Sequence, residues 1–371
     1  MDDLRERALR LAEGQAATPS SIERVAAATS PEAARWAFTQ WELRKRGSAK
    51  FGQAGEMLFV REALEQATHE ALAAYHASRF PQGELVADLT CGIGADLVAL
   101  AARGPAVGFE LDAERAACAR HNLAVHGLSA EVHEQDSFGA EWSWEYAAAD
   151  PARRAGGRRL RDPEAFEPDP RSLAERMGAL RLGMLKLSPM LADTYLESLG
   201  GALEFVSFGG ECREALVWLG QLATPGRWAV LVESGERLAA GEPPFPVDGP
   251  DAVVCEADPA AIRAHALGTL CEQHALTPLG DSNGYLTGAS PPDSPWLRSY
   301  RVLARGAWDL KALRSLLAER RCRTPEIKVR GCPIDVEKTR RSLRADGSEP
   351  AVVLSYPVGK QIRYALGLEV R

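Results

Sequence analysis

The stretch ELVADLTCGIGADLVALAARGPAVGFELD, residues 84–112, constrains this chain more than any other. ELVADL is a short apolar run that stops at a Gly-rich turn, TCGIGAD. LVALAARG then carries helical spacing and stops at Gly104, and AVGFELD is a second apolar run that ends in acids. Short apolar runs bounded by turn residues read as buried strands, and a strand–helix–strand order calls for parallel pairing. The alternation continues through a helix, ERAACARHNLAVHG, closed by Gly127, and a third strand, AEVHEQD. YAAAD, ALEFVSF and RWAVLVES follow as strands four to six. The expected fold is therefore α/β, a doubly wound, Rossmann-like parallel sheet.

The first turn suggests a ligand. Cys91, Gly92 and Gly94 form a bend where a small molecule can approach the backbone closely, because glycine has no side chain in the way. Asp88 closes the first strand. Glu110, 22 residues later, closes the second, where an acid can accept hydrogen bonds from ribose hydroxyls. A G-x-G also occurs in ordinary tight turns, and a dinucleotide fingerprint wants a third glycine where this chain has Leu97. An acid four residues before the first glycine suits a cationic ligand. S-adenosyl-L-methionine carries a sulfonium and an ammonium and has no pyrophosphate to seat on a helix amino terminus, so it is the expected cofactor, with a nicotinamide or flavin dinucleotide as the alternative. Asp136, after the third strand, is expected near the adenine ring, with Ser137 beside it.

Composition narrows the class. The seven cysteines form no C-x-x-C pair and the histidines no paired metal spacing, so no metal site is expected. The acidic, amphipathic start MDDLRERALRLAEG is neither a signal nor a transit peptide, and no run approaches a membrane span, which leaves a cytoplasmic protein as the expectation. A formal charge of -7 argues against a uniformly basic surface. From Lys311 to Arg371, however, 14 Lys and Arg face 7 Asp and Glu, which puts that segment at +7 and the rest at -14. Such polarity is compatible with a nucleic-acid face, or with a solvated basic tail.

Three regions are expected. Residues 1–75 read as a helical extension with starts at Ser21, Ser30 and Ser48, and EMLFVREALEQATHEALAAYHASRF reads as one helix ending near Pro81. Residues 76–295 hold the sheet. Pro-rich stretches at 236–250 and 289–295 read as loops, and 296–371 form a small α/β domain with EIKVRG and AVVLSYPVG as strands.

DLTCGIGAD, GFELDAERAACARHNLAVHG and LRKRGSAKF resemble the class I methyltransferases related to the cap guanine-N2 (trimethylguanosine synthase) group. REALEQAT (61–68), DPARR (150–154) and EIKVRG (326–331) resemble more closely the bacterial methyltransferases that carry a C-terminal THUMP-like domain. The resemblance implies an S-adenosylmethionine-dependent enzyme, with RNA as the expected substrate; the alternatives are a small-molecule or protein methyltransferase, or a catalytically silent RNA-binding or assembly protein that retains the cofactor fold. It places Asp150 and Pro151, at the end of the fourth strand, beside the transferred methyl group. Enzymes that act on exocyclic amines carry Asp/Asn/Ser-Pro-Pro-aromatic there, whereas here the third and fourth places are Ala152 and Arg153. Asp-Pro-Ala-Arg is closer to RNA pyrimidine-C5 methyltransferases, which need a cysteine nucleophile. The corresponding place reads VSFGGEC, with Cys212 five residues late. Arg153 and Arg154, followed by Arg158 and Arg159, read either as a cationic loop for substrate phosphates or as a solvated loop. Lys186 in LKLSPM is a candidate for the acceptor pocket or a helix end.

Overall fold

The computed structural model describes residues 2–151 and 166–370, with the backbone of 154–155 and 158–159 between them. The chain divides into two compact units, Met1–Leu187 with Leu191–Gly201 and Val217–Thr224, and Ser188–Met190 with Ala202–Leu216 and Pro225–Arg371.

The first unit opens with α1 (Asp3–Ala12), α2 (Pro19–Ala28) and α3 (Pro31–Gly47), each started by a side-chain cap, from Asp2, Thr18 and Ser30. Their apolar faces meet around Ala8, Leu9, Val25, Ala34 and Phe38. The single helix expected at 56–80 is instead two, α4 (Arg61–Gln66) and α5 (Glu70–Ser78). The break has identifiable causes. Lys50 Nζ donates to the carbonyls of Leu64, Glu65 and Ala67 at 2.8, 3.1 and 2.7 Å, satisfying the end of α4. His69 Nδ1 then accepts from the Ala71 amide at 3.1 Å and starts α5. Arg44 is likewise structural, buried and donating to the Met57 and Glu56 carbonyls, each at 3.0 Å.

The sheet of this unit comprises β1 (Val86–Asp88), β2 (Ala106–Phe109), β3 (Glu131–His133) and β4 (Tyr146–Ala149), with α6 (Ala95–Arg103) and α7 (Ala113–Val125) as crossovers. After β4, the two-residue strands β5 (Arg154–Ala155) and β6 (Arg158–Arg159) pair antiparallel. Then come α8 (Pro170–Gly178), β7 (Leu182–Leu187) and α9 (Asp193–Ser198). All pairings among β7, β4, β1, β2 and β3, in that spatial order, are parallel. The chain reverses direction of growth between β1 and β4, the switch point where open α/β sheets bind ligands. β7 replaces the helix end considered for LKLSPM. Its Leu, Met and Gly carry little strand propensity, and complete burial of all six residues overrides it.

The second unit contains β8 (Ala202–Phe208), β9 (Glu211–Leu219) through Leu216, β10 (Arg227–Leu231) and β11 (Arg237–Ala239). β8 and β10 are parallel, and β11 turns back along β10. A separate seven-stranded sheet follows, from β12 (Val253–Ala257), β13 (Thr277–Pro278), β14 (Tyr285–Gly288), β15 (Leu297–Ala307), β16 (Glu326–Val329), β17 (Val352–Val358) and β18 (Gln361–Val370). Its order is β13-β14-β12-β15-β18-β17-β16, antiparallel except for β16–β17. Helices α10 (Pro259–Arg263), α11 (Leu267–His274), α12 (Leu310–Glu319) and α13 (Val336–Ser342) complete the unit. The boundary expected near 295 falls inside this sheet, because β15 hydrogen-bonds to β12 on one side and to β18 on the other. Among the described residues, no helix is long and apolar enough to cross a membrane.

Candidate functional site

The carboxyl ends of β1, β2, β3, β4 and β7 open onto one cavity of about 730 Å³ in the first unit. Asp88, Cys91, Gly92, Glu110, Asp136, Ser137, Asp150, Pro151 and Lys186 all line it, so nine of the expected site residues converge from five separate strand ends. Gly94 does not line it. With φ +88° it closes the turn against α7, where a Cβ would lie 3.1 Å from Ala119 Cα. Gly92, at φ +55°, has nothing within 4 Å of a Cβ position, and leaves the cavity open at that point. Arg153 lies outside the described residues. Only the backbone of Arg154, in β5, is described. Leu97, found where a dinucleotide site has glycine, is fully buried, and its Cδ2 occupies the room left by Gly108 on β2.

The turn is held from below. Asn122 on α7, fully buried, donates from Nδ2 to the carbonyls of Ile93 at 2.9 Å and Leu58 at 3.0 Å, while its Oδ1 accepts from the Leu58 amide at 2.8 Å. The Cys91 amide is spent on the Phe109 carbonyl at 2.9 Å. The Cys91 thiol is buried, and burial together with Asp88 and Glu110 pushes it well above its ordinary value. Cys91 is therefore a wall of the site, not a nucleophile.

Asp88 is 4% exposed. Its Oδ1 accepts from the Thr90 amide at 3.2 Å, and its Oδ2 is buried with no hydrogen-bond partner among the described residues. Burial, reinforced by the neighbouring charges of Asp96 and Asp150, pushes this carboxyl well above the usual carboxylate range. An orphaned carboxylate oxygen beside an open glycine turn fits a ligand that brings both hydrogen-bond donors and positive charge. Glu110 and Asp136 are each tied to their own loop, Glu110 Oε1 accepting from the Asp112 amide and Asp136 Oδ1 from the Phe138 amide, both at 2.9 Å.

Register places the second acid. Ala149 of β4 lies opposite Leu185 of β7, so Asp150 and Lys186 follow side by side, and Lys186 Nζ stands 2.5 Å from Asp150 Oδ2. Thr90 joins the two acids, since its Oγ1 accepts from the Asp150 amide at 2.7 Å while its own amide bonds Asp88. The Lys186 side chain is 6% exposed and that of Asp150 33%, so the carboxylate faces the cavity and the ammonium backs it. Lys186 Nζ also donates to Thr68 Oγ1 at 2.7 Å, and Thr68 donates to Asp96 Oδ2 at 2.6 Å. Thr68, Thr90, Asp96 and His76 were not anticipated. Asp96 stands in the quoted turn, two residues after Gly94, and an acid in the first turn of a helix was the one available signal. Nothing in sequence joins Thr68 to it. Cys212 lies in β9, with a half-buried thiol that burial and Asp258 push up to about 12.

Residues 297–365 match a family described as THUMP domain-like. Proteins from two strains of Mycobacterium tuberculosis, each described as an uncharacterised S-adenosylmethionine-dependent methyltransferase, are 35% identical to this chain over 340 residues, covering 88% of it and 93% of their own length. The crystal structure of a Porphyromonas gingivalis protein assigned as a methyltransferase superposes with a TM-score of 0.77 at 23% identity, covering 99% of this chain and 94% of that one, and shows the same fold. With the ligand-facing acids gathered at the switch point of a parallel sheet and a near full-length relative of this identity, the chain belongs to the class I S-adenosylmethionine-dependent methyltransferases, in a form that carries a THUMP-like region.

Proposed function

We propose that this enzyme methylates RNA, at a base nitrogen or oxygen that carries hydrogen. The observation that carries the proposal is the Asp150–Lys186 pair, at 2.5 Å, in the same cavity as Asp88, whose Oδ2 has no partner among the described residues. When bound, S-adenosylmethionine supplies a methyl group activated by a positively charged sulfur. Asp88, through Oδ2, and Glu110 would hold its cationic and ribose ends, with Asp136 and Ser137 toward the adenine and Cys91, Gly92 and Gly94 shaping the turn. Asp150 accepts a hydrogen bond from the acceptor group or takes its proton, Pro151 shapes the approach, and the rate comes mainly from positioning.

Two observations favour a heteroatom over a pyrimidine carbon. Cys91 is the only cysteine among the residues lining the cavity, and both its thiol and that of Cys212 are pushed away from the thiolate form. A carboxylate backed by an ammonium is an acceptor for N–H or O–H.

RNA is supported by charge. Arg320, Arg321, Arg323, Arg340, Arg341 and Arg344, at the end of α12 and along α13, are all exposed within the segment that matches the THUMP-like family. Arg314 Nε donates to the Ser342 carbonyl and so ties the two helices together. Arginines so grouped suit phosphates, as do Arg153 and Arg154, which follow Pro151 in the sequence. The test is transfer of isotope-labelled methyl from S-adenosylmethionine into fractionated RNA, protein and small-molecule extracts, with Asp150→Ala as control. Label confined to RNA and lost in the control is expected, and label in protein or small molecules alone would overturn the substrate class.

A further inference from the structure

Behind Asp150 the polar groups continue into the protein. Lys186 Nζ can only donate, so Thr68 Oγ1 accepts from it and spends its own hydrogen on Asp96 Oδ2. Asp96 Oδ1 meets His76 Nδ1 at 2.8 Å, and His76 is 1% exposed. The hydrogen bonds converge on the Asp96 carboxylate, from Lys186 through Thr68 on one side and from His76 on the other. Burial alone would raise that carboxyl, but His76, Lys186 and the Thr68 hydroxyl outweigh burial and hold it below the usual range. The four residues come from α5, the link between α4 and α5, α6 and β7, so the amino-terminal helices are built into the site and do not merely extend it.

We infer that Thr68, Asp96 and His76 are positioning residues, which fix the Lys186 ammonium against Asp150 and so hold the Asp150 carboxyl as a hydrogen-bond acceptor for the methyl-accepting group. The inference rests on the role proposed above for Asp150. A lysine side chain has four rotatable bonds, and two acceptors on its ammonium, Asp150 and Thr68, restrict that freedom. The charges around Asp150 make this position matter. Asp96 on α6 and Glu167 on the cavity wall are carboxylates, Asp88 on β1 is pushed toward its neutral form, and the ammonium of Lys186 on β7 and the imidazole of His76 on α5 stand against them. An ammonium that drifts from Asp150 takes away the charge paired with it, which favours the protonated carboxyl.

Thr68→Val removes the hydroxyl and keeps the shape, and Thr68→Ser restores the hydroxyl. In carbon-13 NMR titration of the full chain, with the Asp150 carboxyl signal identified by its loss in Asp150→Asn, the Asp150 midpoint is expected to rise by at least about half a pH unit in Thr68→Val and to return in Thr68→Ser. With the RNA fraction that takes label, kcat falls about tenfold or more in Thr68→Val, while KM for S-adenosylmethionine moves less than about twofold. An unmoved midpoint with unchanged kcat overturns the inference. A measurement on the unmutated chain covers the case in which Thr68→Val does not fold. The nitrogen-15 ammonium signal of Lys186, assigned through Lys186→Arg, should persist under conditions where those of exposed Lys45 and Lys311 vanish by exchange, and equally fast exchange overturns the inference. Transfer that survives Asp150→Ala would instead sink the acceptor role of Asp150, a separate readout from the titration.

Discussion

Each unit contains a carboxylate largely withdrawn from solvent, Glu256 in one and Asp88 in the other, and the two are finished differently. Glu256 in the seven-stranded sheet accepts from Lys328 Nζ at 2.8 Å and Tyr300 Oη at 3.3 Å on one oxygen, and from Arg330 at 3.2 Å on the other. Burial would raise its carboxyl, but Lys328 and Arg330 outweigh it and hold the group below the usual range. Asp88 has one backbone amide, an empty Oδ2 and two acidic neighbours, and its carboxyl is pushed up. A buried acid whose oxygens are all satisfied holds a fold together. One left open costs folding free energy and is set for an incoming partner.

The largest effect that separates the two is expected at Glu256. Glu256→Ala takes away the carboxylate shared by Lys328 and Arg330, leaving Lys328 with Glu326 at 3.4 Å, and should lower unfolding free energy by about 2–3 kcal/mol in denaturant titration, with cofactor affinity unchanged. A variant as stable as the parent would remove the structural half of the contrast.

At Asp88 the signs reverse. Asp88→Asn should weaken S-adenosylmethionine binding by about 2 kcal/mol, roughly thirtyfold, with no loss of stability, because a charge-assisted bond disappears only from the complex. The raised carboxyl also gives binding a pH dependence. A protonated Asp88 must release its proton to meet a cation, so affinity should rise with pH, by up to about tenfold per unit below the free-enzyme midpoint, and level off above it. Calorimetry in buffers of different ionisation enthalpy would show the released proton, and pH-independent binding would remove Asp88 from the cofactor site. Glu256 acts in the opposite sense. Its lowered carboxyl contributes stability above the unfolded value of about 4.3, and that contribution is lost as pH falls through the folded value.

The smallest effect concerns the turn. Gly94→Ala forces a side chain at φ +88° against Ala119 and should cost about 1–2 kcal/mol of stability. Gly92→Ala, at φ +55° with open space ahead, should cost about 1 kcal/mol and in addition obstruct the cofactor, as a binding titration would show. Equal effects of the two on binding would mean that both glycines line the site.

Much of the candidate site was legible because its residues sit at strand ends. Asp88, Glu110, Asp136 and Asp150 each close an apolar run, and in a parallel sheet those ends share one edge whatever the detailed packing. Lys186 was visible only as one of two alternatives, since its strand is made of residues that serve a helix equally well. Thr68 closes the quoted REALEQAT, but its role behind Lys186 was not visible. Its contact with Lys186 spans 118 positions, and the helix break in which it sits depends on Lys50, which caps the carbonyls of α4 from 14 to 17 positions away.

By itself, then, the sequence determined the alternation that makes a doubly wound sheet, and the acids, glycines and turn that line its carboxyl edge, because period and turn chemistry act over a few residues. Only the tertiary structure decided which carboxylates are satisfied and which left open, that β15 joins β12 across the expected boundary, and that the amino-terminal helices reach Lys186. Burial and hydrogen-bond partnership are properties of neighbours in space, and for Asp88, Glu256 and Thr68 those neighbours come from distant parts of the chain.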